Sequence, residues 1–211
     1  MPHSCAFFLA QGWEAAKLSR HRINIVLRQM HTAYIGMGAN LPSAAGSPQA
    51  TLAAAVVRLA VLGRITAKSS LYSTQPVGFA DQPRFVNAVA ALETSLTPRE
   101  LLHELLAIEQ FFGRDRSAGI PNGPRTLDID VLLMGDLLVS ESGIEIPHPR
   151  LADRAFVLVP LNEIAPNARD PRSTMTVAQL LKGLLAKQQS AANEVLKMEA
   201  ESWRAGVEDW S

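Results

Sequence analysis

The sequence predicts an α+β domain, an antiparallel sheet with helices packed on it, whose elements follow the order β-α-β-β-α-β. Three observations lead there. Apolar runs of strand length alternate with two stretches whose apolar residues recur at helical spacing. Each helical stretch has a proline near its start and a glycine at its end. The most apolar strand is interrupted by paired acids, Asp128 and Asp130, which a plain core strand would not carry.

In chain order, residues 32–37 form a short apolar run that breaks into Gly38, Asn40 and Pro42, a strand passing into a loop. Leu52, Val56, Leu59 and Leu62 then mark a helix, with Pro48 near its start and Gly63 at its end. Residues 65–74 and 85–94 are rich in strand formers and are separated by a loop holding Pro76, Gly78 and Pro83. Leu101, Leu105, Ile108 and Phe112 give the second helix, opened by Thr97-Pro98 and closed by Gly113. An arginine-bearing loop, 114–124, leads to the strand at 127–134, and Gly135-Asp136 turns it towards 137–139. This order is the split βαβ, or ferredoxin-like, arrangement: two helices on one sheet face, the other face left for a ligand. Beyond it come Pro147-His148-Pro149, an apolar segment at 156–164, a helix at 177–187 and a tail with little pattern. The expected organisation is a leader over 1–31, disordered or upstream of the native start, a domain over 32–170, and a helix and tail over 171–211.

A chain of 211 residues with 47% hydrophobic content buries one good core. Lys+Arg 20 against Asp+Glu 20 leaves no broad positive field, so nucleic acid is not expected as a partner. Cys5 is the lone cysteine, which removes disulfide frameworks and cysteine-based zinc and fits a reducing, cytoplasmic setting. No apolar run approaches the ~20 residues of a membrane helix, and the first thirty residues lack secretory-signal chemistry.

Asp128 and Asp130 flank Ile129 in a strand, so the two-residue period turns both carboxylates to one face, roughly 7 Å apart along the backbone. Oxygen ligands at that spacing suit Mg²⁺, which keeps several waters and takes substrate phosphates. Arg114, Arg116 and Arg125 precede the pair closely, and Arg150 and Arg154 follow it. Guanidinium groups contact phosphate oxygens two at a time. No Gly-Lys-Ser/Thr step is present, so a Walker loop does not hold the phosphates. Gly36-x-Gly38 lacks the third glycine of a dinucleotide fingerprint and carries no weight as one. His148 lies between two prolines, and Asn87 shares a face with Phe85, where an amide can match the edge of a planar heterocycle. Paired aspartates with arginines also suit a two-metal nuclease or phosphatase, which normally needs more acidic ligands than this strand supplies. A sheet-based RNA-binding module would need a basic surface, against the neutral charge.

The run from Gly123 to Leu133, GPRTLDIDVLL, resembles the signature of the 6-hydroxymethyl-7,8-dihydropterin pyrophosphokinase family. AYIGMGANL from Ala33, SLYST from Ser70, FVNA from Phe85 and PHPR from Pro147 are similar to the family's other motifs, in the family's order, over about residues 32–166. The resemblance implies a ferredoxin-like fold and transfer of the diphosphate of ATP to a reduced pterin, giving AMP. It implies that Asp128 and Asp130 hold two Mg²⁺ ions, that Arg114, Arg116, Arg125, His148 and Arg154 contact or close over the phosphates, and that Glu109 lies near the nucleoside. Arg114 and Arg125 would join the two aspartates in catalysis. Phe85 and Phe156 would sandwich the pterin, with Asn87, Thr74 and Val77 reading its edge. The chain departs from the family's pattern at Pro121, where a basic residue is common, and in a slightly longer 116–123 loop. ATP and the reduced pterin are the partners the resemblance implies, and protein partners are left open.

Overall fold

The computed structural model describes residues 28–79, 81–116, 122–187, 195–200 and 203. Pro121, most of its loop and most of the leader lie outside them.

Strand β1 (His31–Ala39) is followed by helix α1 (Pro48–Leu59), which Ser47 caps by accepting from the Ala50 N–H at 3.3 Å, with Pro48 supplying a ready-made first turn. The helix stops at Leu59, short of Leu62. Gly63 then passes so close to the Glu93 carbonyl that a Cβ would stand 2.1 Å from its oxygen. The strand expected at 65–74 is two strands, β2 (Arg64–Lys68) and β3 (Tyr72–Thr74). The break comes at Ser69, whose hydroxyl accepts from the Val89 N–H at 3.0 Å and replaces a ladder bond with a side-chain bond. Strand β4 (Phe85–Thr94) leads to α2 (Pro98–Phe111), opened by a reciprocal capping box between Thr97 and Glu100 and followed by Gly113 at φ +83°. Strand β5 (Asp128–Met134) precedes a small separate hairpin of β6 (Val139–Glu141) and β7 (Ile144–Ile146). The segment at 156–164 is helical: α3 (Ala155–Ile164). Helix α4 (Val177–Lys187) lies where periodicity predicts it, and β8 (Val195–Lys197) follows.

The sheet runs β5-β1-β4-β3-β8, with β2 also paired to β4, and all its pairings are antiparallel. Counting β2 and β3 as one strand, this is the ferredoxin-like order expected. Helices α1 and α2 cover one face through Leu52, Leu59, Leu101 and Leu105 against Ile35, Leu92 and Ile129. The opposite face is not left wholly to a ligand. Val89, Leu132 and Leu133 make that end of it apolar, and α3 and α4 cover it with Leu158, Leu161, Val177 and Leu180. What stays open is the end where β1 offers Gly36 and Gly38 and its neighbours offer polar side chains. Among the described residues no helix is long and apolar enough to cross a membrane.

Candidate active site

Central strand β1 sets the floor of the open end. Its register places Gly36 between Asp130 of β5 and Val89 of β4, and Gly38 between Asp128 and Asn87. The two glycines put no side chain between the carboxylates on one side and Asn87 on the other, and the result is a cleft of about 640 Å³. A Cβ on Gly38 would stand 2.8 Å from Asn87 Oδ1, and one on Gly36 3.1 Å from Leu132 Cδ2.

The carboxylate side is rich in guanidinium. Arg125 donates through Nη1 to Asp128 Oδ2 at 2.6 Å and through Nε to the Gly123 carbonyl at 3.1 Å. Nη2 of Arg114 lies 3.7 Å, and that of Arg116 4.0 Å, from Asp128 Oδ1. Arg114 Nε is buried with no hydrogen-bond partner among the described residues. His148 Nε2 lies 3.9 Å from Asp130 Oδ2. Burial and then the neighbouring Asp128 charge push the Asp130 carboxyl above the usual range, against the pull of Arg154, Arg116 and Arg125. Among the described residues no cluster of three or more His, Cys, Asp or Glu forms a ready-made metal site. Two carboxylates on one strand, beside a bare glycine floor, fit a cation that keeps most of its positions for water and phosphate oxygens, which is the habit of Mg²⁺.

Glu109 does not line the cleft. It is 1% exposed on the packed face of α2, where it accepts from the Ile129 N–H at 2.7 Å and from Arg116 Nε and Nη2 at 2.9 and 2.6 Å. Burial pushes its carboxyl up, and the Ile129 and Arg116 bonds offset only part of that. Its visible work is to hold Arg116 and to fix the peptide between the two aspartates. A charged residue next to Ile108 and four positions after Leu105, on an apolar helix face, was the sequence signal for such a buried anchor.

Asn40 is a comparable anchor, 3% exposed. Its Oδ1 accepts from the Arg125 N–H at 2.7 Å, and its Nδ2 donates to Gln82 Oε1 at 2.9 Å and to the Pro83 carbonyl at 3.0 Å. Gln82 in turn donates to the Asn122 carbonyl at 2.8 Å. The loops after β1, before β4 and before β5 thus meet at one amide.

His148 Nδ1 accepts from the Arg150 N–H at 3.1 Å, so the ring proton sits on Nε2, towards Asp130. Burial, then Arg154, Arg150 and Arg172, lower its pKa to about 4. In the folded, ligand-free protein the imidazole stays neutral down to about pH 4, whereas the unfolded chain protonates it below its ordinary 6.5. Stability contributed by neutral His148 is complete above pH 6.5 and is lost as pH falls towards 4. The parent should lose roughly 3 kcal/mol more than His148→Asn across that window. Urea unfolding of the two proteins without Mg²⁺, from pH 4 to 7.5, measures the difference. Asp130 and Glu109, both raised, favour the folded state on acidification in either protein and so largely cancel. Parallel pH slopes would refute the assignment.

On the far side of the floor, Asn87 donates through Nδ2 to Thr74 Oγ1 at 2.7 Å, both side chains buried. Phe85 and Phe156 line this end, Phe156 from the start of α3. Each ring has a guanidinium over it: Arg125 5.2 Å from the Phe85 centroid and Arg154 5.4 Å from that of Phe156. Val77, at the rim, is 68% exposed. All the residues singled out from the sequence except Glu109 therefore line one cleft. Arg150, noted beside Arg154 from the sequence, lines it too, whereas sequence reasoning missed Gly36 and Gly38 as its floor, Asn122 as further lining, and Val195 from the tail. The glycine pair was visible, but its meaning depends on which strands lie beside it.

The cleft thus has a carboxylate and guanidinium end and an aromatic end, and comparison with known proteins gives its class as an ATP-dependent diphosphotransferase. Residues 34–166 match the family model described as 7,8-dihydro-6-hydroxymethylpterin-pyrophosphokinase. The chain belongs to that family. It is 43% identical over 156 residues to the 2-amino-4-hydroxy-6-hydroxymethyldihydropteridine pyrophosphokinase of a Synechocystis species, covering 73% of this chain and 76% of that one. It is 47% identical over 138 residues to the enzyme of the same name from Pseudomonas aeruginosa, covering 65% and 83%. The crystal structure of a Plasmodium falciparum HPPK-DHPS superposes with a TM-score of 0.64 at 15% identity, over 82% of this chain and 47% of that one. That likeness concerns the fold alone, and this chain spans about half the length of that protein.

Proposed function

We infer that this chain carries out its family's reaction, passing the diphosphate of ATP to the hydroxymethyl group of 6-hydroxymethyl-7,8-dihydropterin to give AMP and the pterin diphosphate in tetrahydrofolate biosynthesis. The observation that carries the reading is the glycine floor, with Asp128 and Asp130 on one side and Asn87 on the other. Asp128 and Asp130 would hold two Mg²⁺ ions with the phosphates of ATP. The ions would supply charge neutralisation at the phosphoryl oxygens.

The chain's own residues do the rest. Arg125, Arg114 and Arg116, which gather on Asp128 without ligand, turn to the phosphate oxygens once that carboxylate is engaged. Arg154 closes from the opposite wall, and neutral His148 presents its Nε2 proton as a donor. Glu109 acts on the nucleotide through Arg116. Phe85 and Phe156 take the pterin ring between them, while Asn87, Thr74 and the backbone near Val77 meet its polar edge. The hydroxyl then attacks the β-phosphorus in line, and alignment with charge neutralisation accounts for most of the acceleration. In this reading the transferase domain over 32–170 follows a 1–31 leader, and α4, β8 and Trp203 of the 171–211 helix and tail pack onto it. A cytoplasmic setting with small-molecule partners goes with it, supported by the balanced charge and the lone cysteine.

Incubation with Mg²⁺, ATP and 6-hydroxymethyl-7,8-dihydropterin should yield AMP and pterin diphosphate in equal amounts and no inorganic phosphate. Phosphate release, or AMP formation independent of pterin, would overturn the reading.

A further inference from the structure

The tail carries a strand that no sequence motif marks and that lies beyond the residues matched to the family. Strand β8 pairs antiparallel with β3, Thr74 opposite Val195 and Tyr72 opposite Lys197. Alternation along both strands puts Thr74, Tyr72, Val195 and Lys197 on the face of the cleft and turns Leu196, 52% exposed, to the other side. Lys197, Tyr72, Asn87, Gly38 and Asp128 therefore form one row across five strands. Val195, Thr74 and Phe85 form the next, at the aromatic end. Val195 is part of the cleft's lining.

The tail is fastened at both sides of this row. Lys197 Nζ donates to Glu163 Oε1 at 2.9 Å, and the same carboxylate accepts from the Ser70 N–H at 2.8 Å, the Ser70 hydroxyl at 2.8 Å and the Tyr72 hydroxyl at 2.9 Å. Glu163 lies on α3, the helix whose first turn carries Phe156, so one carboxylate ties that helix to β3 and β8. Beyond the strand, Trp203 is 4% exposed in the core and donates its indole N–H to the Ser69 carbonyl at 2.7 Å, at the break between β2 and β3. Without β8, the three-residue β3 would be a bare sheet edge, with Thr74 facing water.

We propose that β8 is the outer wall of the heterocycle subsite, and that Val195 is a specificity-determining residue which limits how far a pterin can extend past Thr74. The inference rests on the pterin reading of Phe85, Asn87 and Thr74 given above. A branched apolar side chain there excludes water from the Thr74 and Asn87 hydrogen bond and offers no polar partner, so the ligand edge it meets is apolar or unsubstituted.

The test uses the full chain and its Val195→Trp, Val195→Ala and Phe85→Ala variants, titrated calorimetrically with 6-hydroxymethyl-7,8-dihydropterin beside a non-hydrolysable ATP analogue, and with the analogue alone. Val195→Trp should weaken pterin binding at least tenfold and leave nucleotide binding within twofold. Val195→Ala should bind the parent ligand nearly as well and accept a pterin enlarged at the ring edge that the parent rejects. In turnover, KM for pterin should rise in Val195→Trp while kcat at saturation is kept. Pterin affinity unchanged in both Val195 variants, with Phe85→Ala impaired, would overturn the wall alone. A parent that binds no pterin would overturn the wall and the reading beneath it together.

Discussion

Asp128→Asn and Asp130→Asn should each lower turnover by roughly a thousandfold or more, the scale of losing several kcal/mol of charge stabilisation in the transition state. Asparagine nearly keeps the size and shape, so the fold should survive both changes. The stability effects should nevertheless part company. Asp128 accepts from Arg125 at 2.6 Å and lies 3.7 Å from Arg114, and its loss leaves guanidinium groups facing one another. Burial and the charge of Asp128 both raise the Asp130 carboxyl and work against its ionised form. A raised carboxylate contributes stability below its ordinary pKa and loses it as pH rises through the folded value, so the Asp130 charge, once formed, destabilises the ligand-free protein. Without Mg²⁺, Asp130→Asn should therefore melt at or above the parent's temperature and Asp128→Asn below it. AMP formation, Mg²⁺-dependent ATP binding and thermal unfolding, measured on the same preparations, check the three statements. Two folded variants turning over near the parent rate would sink the metal assignment and the mechanism with it.

Gly38→Ala should raise KM for the pterin by roughly ten- to a hundredfold, about 1.4 to 2.7 kcal/mol of binding, and leave ATP affinity nearly unchanged. The added carbon would stand 2.8 Å from Asn87 Oδ1, closer than such atoms approach. Asn87 has little room to yield, because it is 7% exposed and its amide is held by Thr74 at 2.7 Å. It must turn, and a turned amide loses both that bond and its match to the heterocycle edge. Gly36→Ala is the control. Its nearest neighbour is the end of the Leu132 side chain at 3.1 Å, which can shift, so the pterin KM should change by only a few-fold. Equal pterin affinity in Gly38→Ala and the parent would show that the glycine floor does not position Asn87.

The readings that succeeded from the sequence were local. Thr97-Pro98 and Pro48 mark helix starts through local chemistry that needs nothing beyond a few consecutive residues. The two-residue period alone turns Asp128 and Asp130 to one face. The resemblance in GPRTLDIDVLL supplied the chemistry. Readings failed where one residue had to stand for a relation between distant segments. Residues 65–74 read as one strand because nothing local shows the Ser69 hydroxyl replacing a ladder bond to Val89. The open sheet face was overestimated because α3, with Pro160 inside it, did not read as a helix.

By itself the sequence determined the β-α-β-β-α-β order, the helix boundaries near their caps, the paired carboxylates and the arginines around them. Tertiary structure alone decided that Gly36 and Gly38 lie between those carboxylates and Asn87, that Glu109 is a buried anchor for Arg116, and that β8 walls the aromatic end. The division follows from the range of the forces. Caps, turns and side-chain alternation are set by torsions and hydrogen bonds within a few residues, whereas strand register and helix docking arise from contacts among segments far apart in the chain.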